Sequence, residues 1–185
     1  MGSSSFLKEA ISNLKTIGSV RPSSPSLCRA MASPVNPRVQ QTIVELGAGE
    51  GTITHYLLRR MNPASRLVTF EINENFLSLL NEIHDPRMIL VNDSAEHLQL
   101  QLKRLGMNEA DVIVSSLPLV LFEKELSERI IRSCYAALRK GGVFVQFHYS
   151  YLNKKMYERI FDSVRVRFIL SNLPPAFVFR CRKLK

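Results

Sequence analysis

The chain has 185 residues, 45% of them hydrophobic, which suits one globular domain with a sizeable core and leaves no room for a second full domain. No apolar run approaches the roughly 18 residues that cross a bilayer, so we expect no membrane-spanning helix. The net charge of +9 is uneven: residues 151–185 hold nine basic and two acidic side chains, against twelve and thirteen in residues 36–150. This asymmetry favours a polyanionic partner, either nucleic acid or an anionic membrane surface.

The first predicted element is an amphipathic helix in "FLKEAISNLKTI", residues 6–17. Its apolar residues recur at helical spacing, with Lys8 and Lys15 off the apolar face. Such a helix lies on an anionic bilayer or packs on a core, and the pattern alone leaves both open. We therefore divide the chain into residues 1–35, an N-terminal amphipathic helix and the segment that leads into the domain, and residues 36–185, the domain itself.

The rest of the chain alternates short apolar runs with helical patterns. Strands are predicted at residues 42–46, 66–71, 88–92, 110–116 and 142–149. Helical spacing between them is set by Ile53, Tyr56, Leu57, Leu58, Phe76, Leu79, Leu80, Leu126, Ile130, Ile131 and Leu138. The alternation predicts a mostly parallel α/β sheet with helices on both faces. Two last runs, "SVRVRFILS" and "AFVFRCRK" joined by "NLPP", predict an antiparallel hairpin that brings the sheet to seven strands.

A glycine-rich turn follows the first predicted strand, in "VELGAGEGTITHYLL". At the carboxyl end of a parallel strand, glycine lets the backbone approach a ligand closely, so this turn predicts a cofactor cradle. Thr52 stands where the dinucleotide fingerprint needs its last glycine. The pattern is instead E-x-G-x-G-x-G, formed by Glu45, Gly47, Gly49 and Gly51.

This pattern resembles motif I of the class I S-adenosylmethionine (SAM)-dependent methyltransferases, which implies a Rossmann-like fold and SAM as cofactor. Glu71 ends the second strand, where a carboxylate accepts hydrogen bonds from both ribose hydroxyls. The resemblance places Asp93 as an acceptor for the adenine amino group, although it also suits a helix N-cap, or nearly so, with Glu96 completing a capping box. The expected cofactor-binding residues are Glu45, Gly47, Gly49, Gly51, Glu71, Ile72, Asp93, Ser94 and Ser115.

The fourth strand runs into "SSLPLVLF", residues 115–122, where amino-methylating members of the superfamily carry motif IV. Pro118 is retained, but Ser116 stands at the usual Asn position and Leu119 at the aromatic position. A methylated base is held by stacking on an aromatic ring, so Leu119 counts against adenine as the substrate. A flexible alkyl amine needs only carbonyls and hydroxyls to orient it.

Several segments resemble the bacterial phospholipid N-methyltransferases more closely: "IGSVRPSSPSLCRAM", "VELGAGEGTIT", "SSLPL" and "NLPPAFVFR", over about residues 6 to 183. The resemblance implies methylation of phosphatidylethanolamine or its methylated derivatives, toward phosphatidylcholine, at a membrane surface. Ser116, Leu117, Pro118 and Tyr149 are then the expected catalytic residues. Ser116 replaces the glycine usual in this family, which puts the accepted head group in doubt.

The lipid head group is expected to contact Arg21, Ser23, Ser24, Leu119, His148 and Tyr151. The resemblance suggests that the Pro-Ser-Ser segment folds over the cofactor and the head group, with Arg21 pairing with the lipid phosphate. His148 is a candidate proton acceptor or orienting group, and equally a structural residue of a strand end. Tyr149 and Tyr151 could hold a cationic methylated intermediate through their rings.

The partner predicted is therefore a phospholipid at an anionic membrane, contacted peripherally from the cytoplasmic side. Three widely spaced cysteines without a C-x-x-C pattern predict neither disulfides nor zinc and indicate a reducing compartment, and methyl transfer from SAM requires no metal. One alternative is an RNA methyltransferase of the ribosomal adenine dimethyltransferase type, so nucleic acid stays an open partner. Another is a non-catalytic membrane- or RNA-binding domain. The sequence does not predict the oligomeric state.

Overall fold

The computed structural model describes residues 23–185. The predicted helix over residues 6–17 and Arg21 lie outside the described residues. The helices are α1 (Pro25–Ala32), α2 (Thr52–Arg60), α3 (Glu74–Asn81), α4 (Leu98–Arg104), α5 (Lys124–Ala137) and α6 (Lys154–Ile160). The strands are β1 (Thr42–Leu46), β2 (Arg66–Glu71), β3 (Met88–Asn92), β4 (Ala110–Ser115), β5 (Leu138–His148), β6 (Ser163–Ile169) and β7 (Ala176–Arg182), and a 3-10 turn spans Ala95–His97.

The seven strands form one sheet in the order β3-β2-β1-β4-β5-β7-β6. Neighbours from β3 to β5 are parallel, and β7 runs antiparallel to both β5 and β6. The predicted seven-stranded, mostly parallel α/β fold with a C-terminal antiparallel hairpin is confirmed. Because β6 is antiparallel to β7, its carboxyl end lies at the same sheet edge as the carboxyl ends of β1 to β5.

Alternation along each strand divides the core between the two faces of the sheet. On one face, Val44, Leu46 and Phe144 pack with residues of α4, α5 and α6. On the other face, Ile43 and Val145 pack with α1 and α2. The segment that leads into the domain is therefore part of its core, because α1 buries Leu27, Cys28 and Met31 there.

Three local predictions differ from the structure. Leu138, placed on a helical face by its spacing, is extended (φ −73°, ψ 138°) and begins β5, because α5 ends at Ala137. Leu79 is 46% exposed, and α3 instead buries Leu77 and Leu80 against the domain. The cap after β3 is Ser94, whose hydroxyl accepts the Glu96 N–H at 3.3 Å, rather than Asp93 itself.

All three cysteines, Cys28, Cys134 and Cys181, are buried free thiols. Among residues 23–185, no helix has both the length and the apolar character needed to cross a bilayer.

Candidate cofactor and substrate site

The turn between β1 and α2 requires glycine for both its conformation and its contacts. Gly47 has a φ of +74°, a region that side chains rarely adopt. A Cβ atom added at Gly47 would lie 2.9 Å from Cδ2 of Leu117, a distance that real Cβ atoms do not tolerate. The turn therefore has a backbone conformation that favours glycine, and a side chain at Gly47 would force Leu117 of the motif IV loop to move.

Glu71 holds this turn from the neighbouring strand. Its Oε2 accepts the Gly49 N–H at 2.8 Å, and its Oε1 accepts the N–H groups of Ile72 and Asn73 at 2.8 and 2.9 Å. Three backbone donors fix the position of one buried carboxylate at the end of β2. The Gly49 bond also joins the two loops that the sequence assigned to cofactor binding.

Asp93 stands at the end of β3 with its carboxylate similarly fixed. Its Oδ1 accepts the Ser94 N–H at 2.7 Å and lies 2.7 Å from Nδ1 of His97, and its Oδ2 accepts from the Gln101 amide. Burial raises the pKa of Asp93, but these hydrogen bonds outweigh burial and the net pKa is lowered. Asp93 is therefore an ionised acceptor at neutral pH.

These strand ends enclose a cleft of about 240 Å³, open to solvent. Its walls are Gly47, Phe70, Glu71, Ile72, Asp93, Ala95 and Leu117. The carboxylates of Glu71 and Asp93 stand among apolar side chains, beside the turn in which Gly47 carries no Cβ atom. This donor-poor, acceptor-rich arrangement fits the ribose hydroxyls and amino group of a nucleoside, so the described residues suit the nucleoside part of SAM.

Glu45 is absent from those walls, because strand alternation points it toward α2. Its side chain is 0% exposed, and its Oε2 accepts hydrogen bonds from the hydroxyls of Thr54 (2.7 Å) and Thr69 (3.4 Å). Burial raises the pKa of Glu45 to about 7. Its direct contact with the cofactor stays a prediction. In the structure its carboxyl group binds α2 through the Thr54 hydroxyl.

The motif IV loop is held against the glycine turn by its backbone. The Ser116 N–H donates to the Leu46 carbonyl at 2.9 Å, and the Ser115 hydroxyl accepts the Leu117 N–H at 3.4 Å. Leu119 is buried in the core, and its carbonyl accepts the Ser127 hydroxyl at 2.7 Å. Of the loop residues predicted for catalysis and substrate binding, Leu117 therefore reaches the cleft wall and Leu119 packs inside.

Gln146 is a buried polar residue of β5 that the sequence analysis missed. It pairs in register with Ser115, and its Nε2 donates to the carbonyls of Leu117 (3.0 Å) and Phe147 (2.8 Å). Within residues 23–185, Gln146 Oε1 and Ser116 Oγ are buried and have no hydrogen-bond partner. The available signal was a lone glutamine in the apolar run "GVFVQFHY".

His148 lies at the end of β5, in the interior. Its side chain is 4% exposed, and its Nε2 lies 2.7 Å from the hydroxyl of Tyr157, a second residue that the sequence analysis missed. Burial lowers the pKa of His148 to about 4, so the imidazole is neutral at pH 7 and a weak proton acceptor. Its predicted contact with substrate remains a prediction.

The Pro-Ser-Ser segment is fastened to the β6–β7 hairpin by Asn172. This buried side chain accepts the Ser24 N–H at 2.9 Å and donates to the Pro174 carbonyl at 2.8 Å. Ser24 also caps α1, because its hydroxyl accepts the Leu27 N–H at 3.2 Å. The carbonyl of Ser23 accepts from the Cys28 thiol at 3.5 Å. The two predicted serines thus act locally through capping and backbone contacts.

Tyr149 and Tyr151 follow β5, and both are partly exposed at the cleft edge of the sheet. The pKa of Tyr149 is raised by burial, which a hydrogen bond with Asn172 partly offsets. The ring of Tyr151 packs on Phe177 and Phe179 at centroid distances of 5.4 and 5.7 Å. Neighbouring large apolar side chains are far more exposed, with Leu152 at 83% and Leu170 at 74%.

These exposed side chains form an apolar rim along the edge where β4, β5 and β6 end. The rim comprises Val120, Leu121, Tyr149, Tyr151, Leu152, Phe168, Leu170 and Leu173. They come from the motif IV loop, the loop after β5 and the tip of the β6–β7 hairpin. Exposed apolar clusters of this kind mark interaction sites rather than ordinary surface.

Comparisons with known proteins agree with this geometry. A family model described as a methyltransferase domain matches residues 43–142. An ornithine lipid N-methyltransferase of Singulisphaera acidiphila is 33% identical over 183 residues, 97% of this chain and 95% of that protein. A precorrin-6y C5,15-methyltransferase from Geobacter metallireducens superposes with a TM-score of 0.65 at 17% identity, covering 85% of this chain and 87% of that one. An rRNA methylase from Streptococcus thermophilus superposes with a TM-score of 0.66 at 15% identity, covering 91% of this chain and 100% of that one. At such identities the two structures show the fold alone.

Proposed function

Because the chain belongs to the class I SAM-dependent methyltransferases, we propose that it methylates the primary amine of a membrane lipid at the cytoplasmic membrane face. The observation that carries the lipid assignment is the 33% identity with an ornithine lipid N-methyltransferase over nearly the whole chain. Phosphatidylethanolamine, expected from the sequence, and an ornithine head group both present a primary amine on a flexible alkyl chain. The proposed substrate class is this kind of head group.

The apolar rim supports a lipid substrate, because it lies at the same sheet edge as the cofactor cleft. Lys154 lies beside the rim, with its ammonium 5.6 Å from the ring centre of Tyr151 and 2.9 Å from Oε1 of Glu158. The next residue, Lys155, is exposed and adds a basic side chain at the same place. Each basic side chain near an anionic surface contributes roughly 1 kcal/mol to binding. Reversible peripheral docking would therefore present the cleft to lipid amines without a spanning helix.

The chain's own residues hold and position the reactants. Glu71 would accept the ribose hydroxyls of SAM, Asp93 would accept its adenine amino group, and Gly47 would let the cofactor lie against the backbone. Bound SAM would supply an activated methyl group for transfer to a neutral amine, with S-adenosylhomocysteine as the second product. Because the donor is already activated, positioning is the main contribution of the protein.

Two buried acceptors beside the motif IV loop are suited to orient the amine. Ser116 Oγ and Gln146 Oε1 would each accept an N–H of the amine, which leaves its lone pair free to point at the methyl group. The substrate ammonium must lose one proton first. His148 is a poor acceptor for it with a pKa of about 4, so this proton leaves to water. The rings of Tyr149 and Tyr151 can then contact the methylated cation.

The test is to incubate the purified chain with methyl-labelled SAM and three substrates in parallel. These are vesicles containing phosphatidylethanolamine, vesicles containing an ornithine lipid, and unmodified ribosomal RNA. Label in either lipid, and much less of it with a Glu71→Ala variant at the same low SAM concentration, supports the proposal and identifies the head group. Label confined to RNA, or to neither lipid while SAM still binds, would overturn the lipid assignment.

A further inference from the structure

A second cleft lies between the carboxyl end of α1 and the strands β5, β6 and β7. It encloses about 500 Å³ of space that opens to solvent. Ala30 and Ser33 form one wall, Val145 lies at its base, and Arg165, Arg167 and Arg180 line the strand side. It shares no wall residue with the cofactor cleft.

Strand register brings the three arginines together. Arg165 pairs with Arg180 across β6 and β7, and Arg180 pairs in turn with Val145 of β5. Arg167 stands two residues after Arg165, so it projects from the same face of β6. Like charges directly opposite each other in a sheet are destabilising, and the fold nevertheless keeps the Arg165–Arg180 pair.

None of these guanidinium groups takes part in an ion pair within residues 23–185. No acidic side chain of that part of the chain lines the cleft. Arg180 is only partly exposed, and its Nε–H is buried without an acceptor among the described residues. Burial lowers the pKa of Arg180, and the charges of Arg182 and Arg165 lower it further. A buried, unpaired cationic donor is costly unless a ligand supplies the acceptor.

We propose that this arginine cleft binds a phosphate group. A guanidinium group offers a planar fork of N–H donors that can bind two oxygens of a phosphate at once, which the point charge of a lysine cannot do. The phosphate would neutralise the repulsion between Arg165 and Arg180 and accept the orphaned Nε–H of Arg180. The proposal stands apart from methyl transfer, because it uses neither the cofactor cleft nor the motif IV loop.

The phosphate could belong to a lipid head group or to a soluble molecule. Arg167 is followed at once by Phe168 of the apolar rim, and Leu170 lies three residues beyond Arg167 at the hairpin tip. If the rim enters a bilayer, the arginine cleft would therefore lie close to the level of the lipid phosphates. A soluble phosphate would bind without vesicles.

The experiment uses a double variant, Arg165→Gln with Arg167→Gln, whose two sites are exposed so that the core is unchanged. The matched control is Arg66→Gln with Arg104→Gln, which removes the same charge from exposed positions far from the cleft. In one arm, inorganic phosphate is titrated into the full chain by calorimetry at constant ionic strength. In the other arm, binding to phosphatidylglycerol vesicles is measured by co-sedimentation. SAM affinity is measured for every variant as a check on folding.

We expect the double variant to bind at least about 10-fold more weakly than the wild type and the control in one or both arms, with SAM affinity unchanged. Loss in the calorimetric arm identifies a soluble phosphate as sufficient, whereas loss in the vesicle arm alone identifies a lipid phosphate. The proposal is overturned if the wild type binds in neither arm, if the double variant binds as the wild type does, or if the control loses as much. Because SAM binding and lipid labelling are separate readouts, failure here is distinguishable from failure of the proposed methyl transfer.

Discussion

The two halves of the sheet treat their polar groups differently. In the half built by β1, β2 and β3, the carboxylates of Glu71 and Asp93 are each held by three hydrogen bonds. In the half built by β5, β6 and β7, Gln146 Oε1 and Arg180 Nε are buried without a partner among the described residues. Buried polar groups without partners are costly, so a fold retains them where a ligand completes them. The first half is preorganised by these hydrogen bonds, and the second holds buried polar atoms that a bound ligand would complete.

Glu45 is the exception in the preorganised half, because its Oε1 is also buried without a partner among the described residues, and its titration tests the comparison most strongly. Burial raises its pKa from an ordinary 4.5 to about 7. Below pH 4.5, the Glu45 carboxyl group is protonated in both the folded and the unfolded protein. Above pH 4.5, it loses its proton first in the unfolded protein. Folding stability should therefore fall by roughly 3 kcal/mol as pH rises from 4.5 through 7. Glu45→Gln should abolish that fall, as measured by urea denaturation at each pH.

His148 titrates in the opposite direction, because its folded pKa of about 4 lies below its ordinary 6.5. It stabilises the fold above pH 6.5 and loses that contribution as pH falls toward 4. This contribution is common to the wild type and Glu45→Gln, so the difference between their curves isolates Glu45. Glu109→Gln, at an exposed position, is the control. Parallel curves for wild type and Glu45→Gln would contradict the prediction.

Glu71→Ala should produce the largest loss of cofactor affinity. The change removes the acceptor of three backbone N–H groups and, with it, the proposed acceptor of the ribose hydroxyls. Charge-assisted hydrogen bonds contribute about 1.5 to 3 kcal/mol, so we expect SAM to bind about 10- to 100-fold more weakly in calorimetry. Glu74→Ala, at an exposed position in the first turn of α3, should bind SAM as the wild type does. An equal loss in both variants would show that charge near the cleft matters, and not the Glu71 contacts.

Gly47→Ala tests whether close packing of the glycine turn on the motif IV loop is essential. The matched control is Gly106→Ala, because Gly106 has a similar φ of +71° but no atom within 4 Å of an added Cβ. Both variants carry the backbone strain, and only Gly47→Ala carries the contact with Leu117. We expect Gly47→Ala to lose about 1 to 2 kcal/mol more free energy of unfolding than the control.

Adding Leu117→Ala to Gly47→Ala separates the contact from the strain. Shortening Leu117 removes the Cδ2 atom that lies 2.9 Å from the added Cβ. The stability difference between Gly47→Ala and Gly106→Ala should then narrow, once the cost of Leu117→Ala alone is subtracted. No narrowing would mean that the Leu117 contact is not the source of the loss.

The same difference between the halves explains what the sequence could predict. Glu71 accepts hydrogen bonds from N–H groups at the end of its own strand and from the glycine turn. Strand pattern and motif spacing were therefore enough to predict its position. All seven strands were predicted because their apolar runs are bounded by turn residues. The cofactor contacts expected of Ser94 and Ser115 stay predictions, and the local pattern did not distinguish Asp93 from Ser94 as the cap.

The half built by β5, β6 and β7 depends on contacts that no local pattern contains. Gln146 bonds to Leu117, 29 residues earlier, and Asn172 bonds to Ser24, 148 residues earlier. Glu45 and Leu119 were predicted at the site by motif position, but their orientation follows from strand alternation and loop packing, which direct both inward. The sequence showed only that residues 151–185 are basic. The register of the hairpin is what shows that Arg165, Arg167 and Arg180 share one cleft.

Asn172→Ala tests the longest of these contacts and should have the smallest effect on stability. It removes hydrogen bonds with the Ser24 N–H, the Pro174 carbonyl and the Tyr149 hydroxyl, and we expect a loss of about 1 to 2 kcal/mol. The segment before α1 should then detach more often from the hairpin, and trypsin should cleave at Arg29 faster. Asn108→Ala, at an exposed position, should change neither quantity.

If Asn172→Ala lowers stability without faster cleavage at Arg29, the side chain supports the hairpin alone. The half built by β5, β6 and β7 would then not depend on the Pro-Ser-Ser segment. Ser23 and Ser24 would have no part in covering the head group.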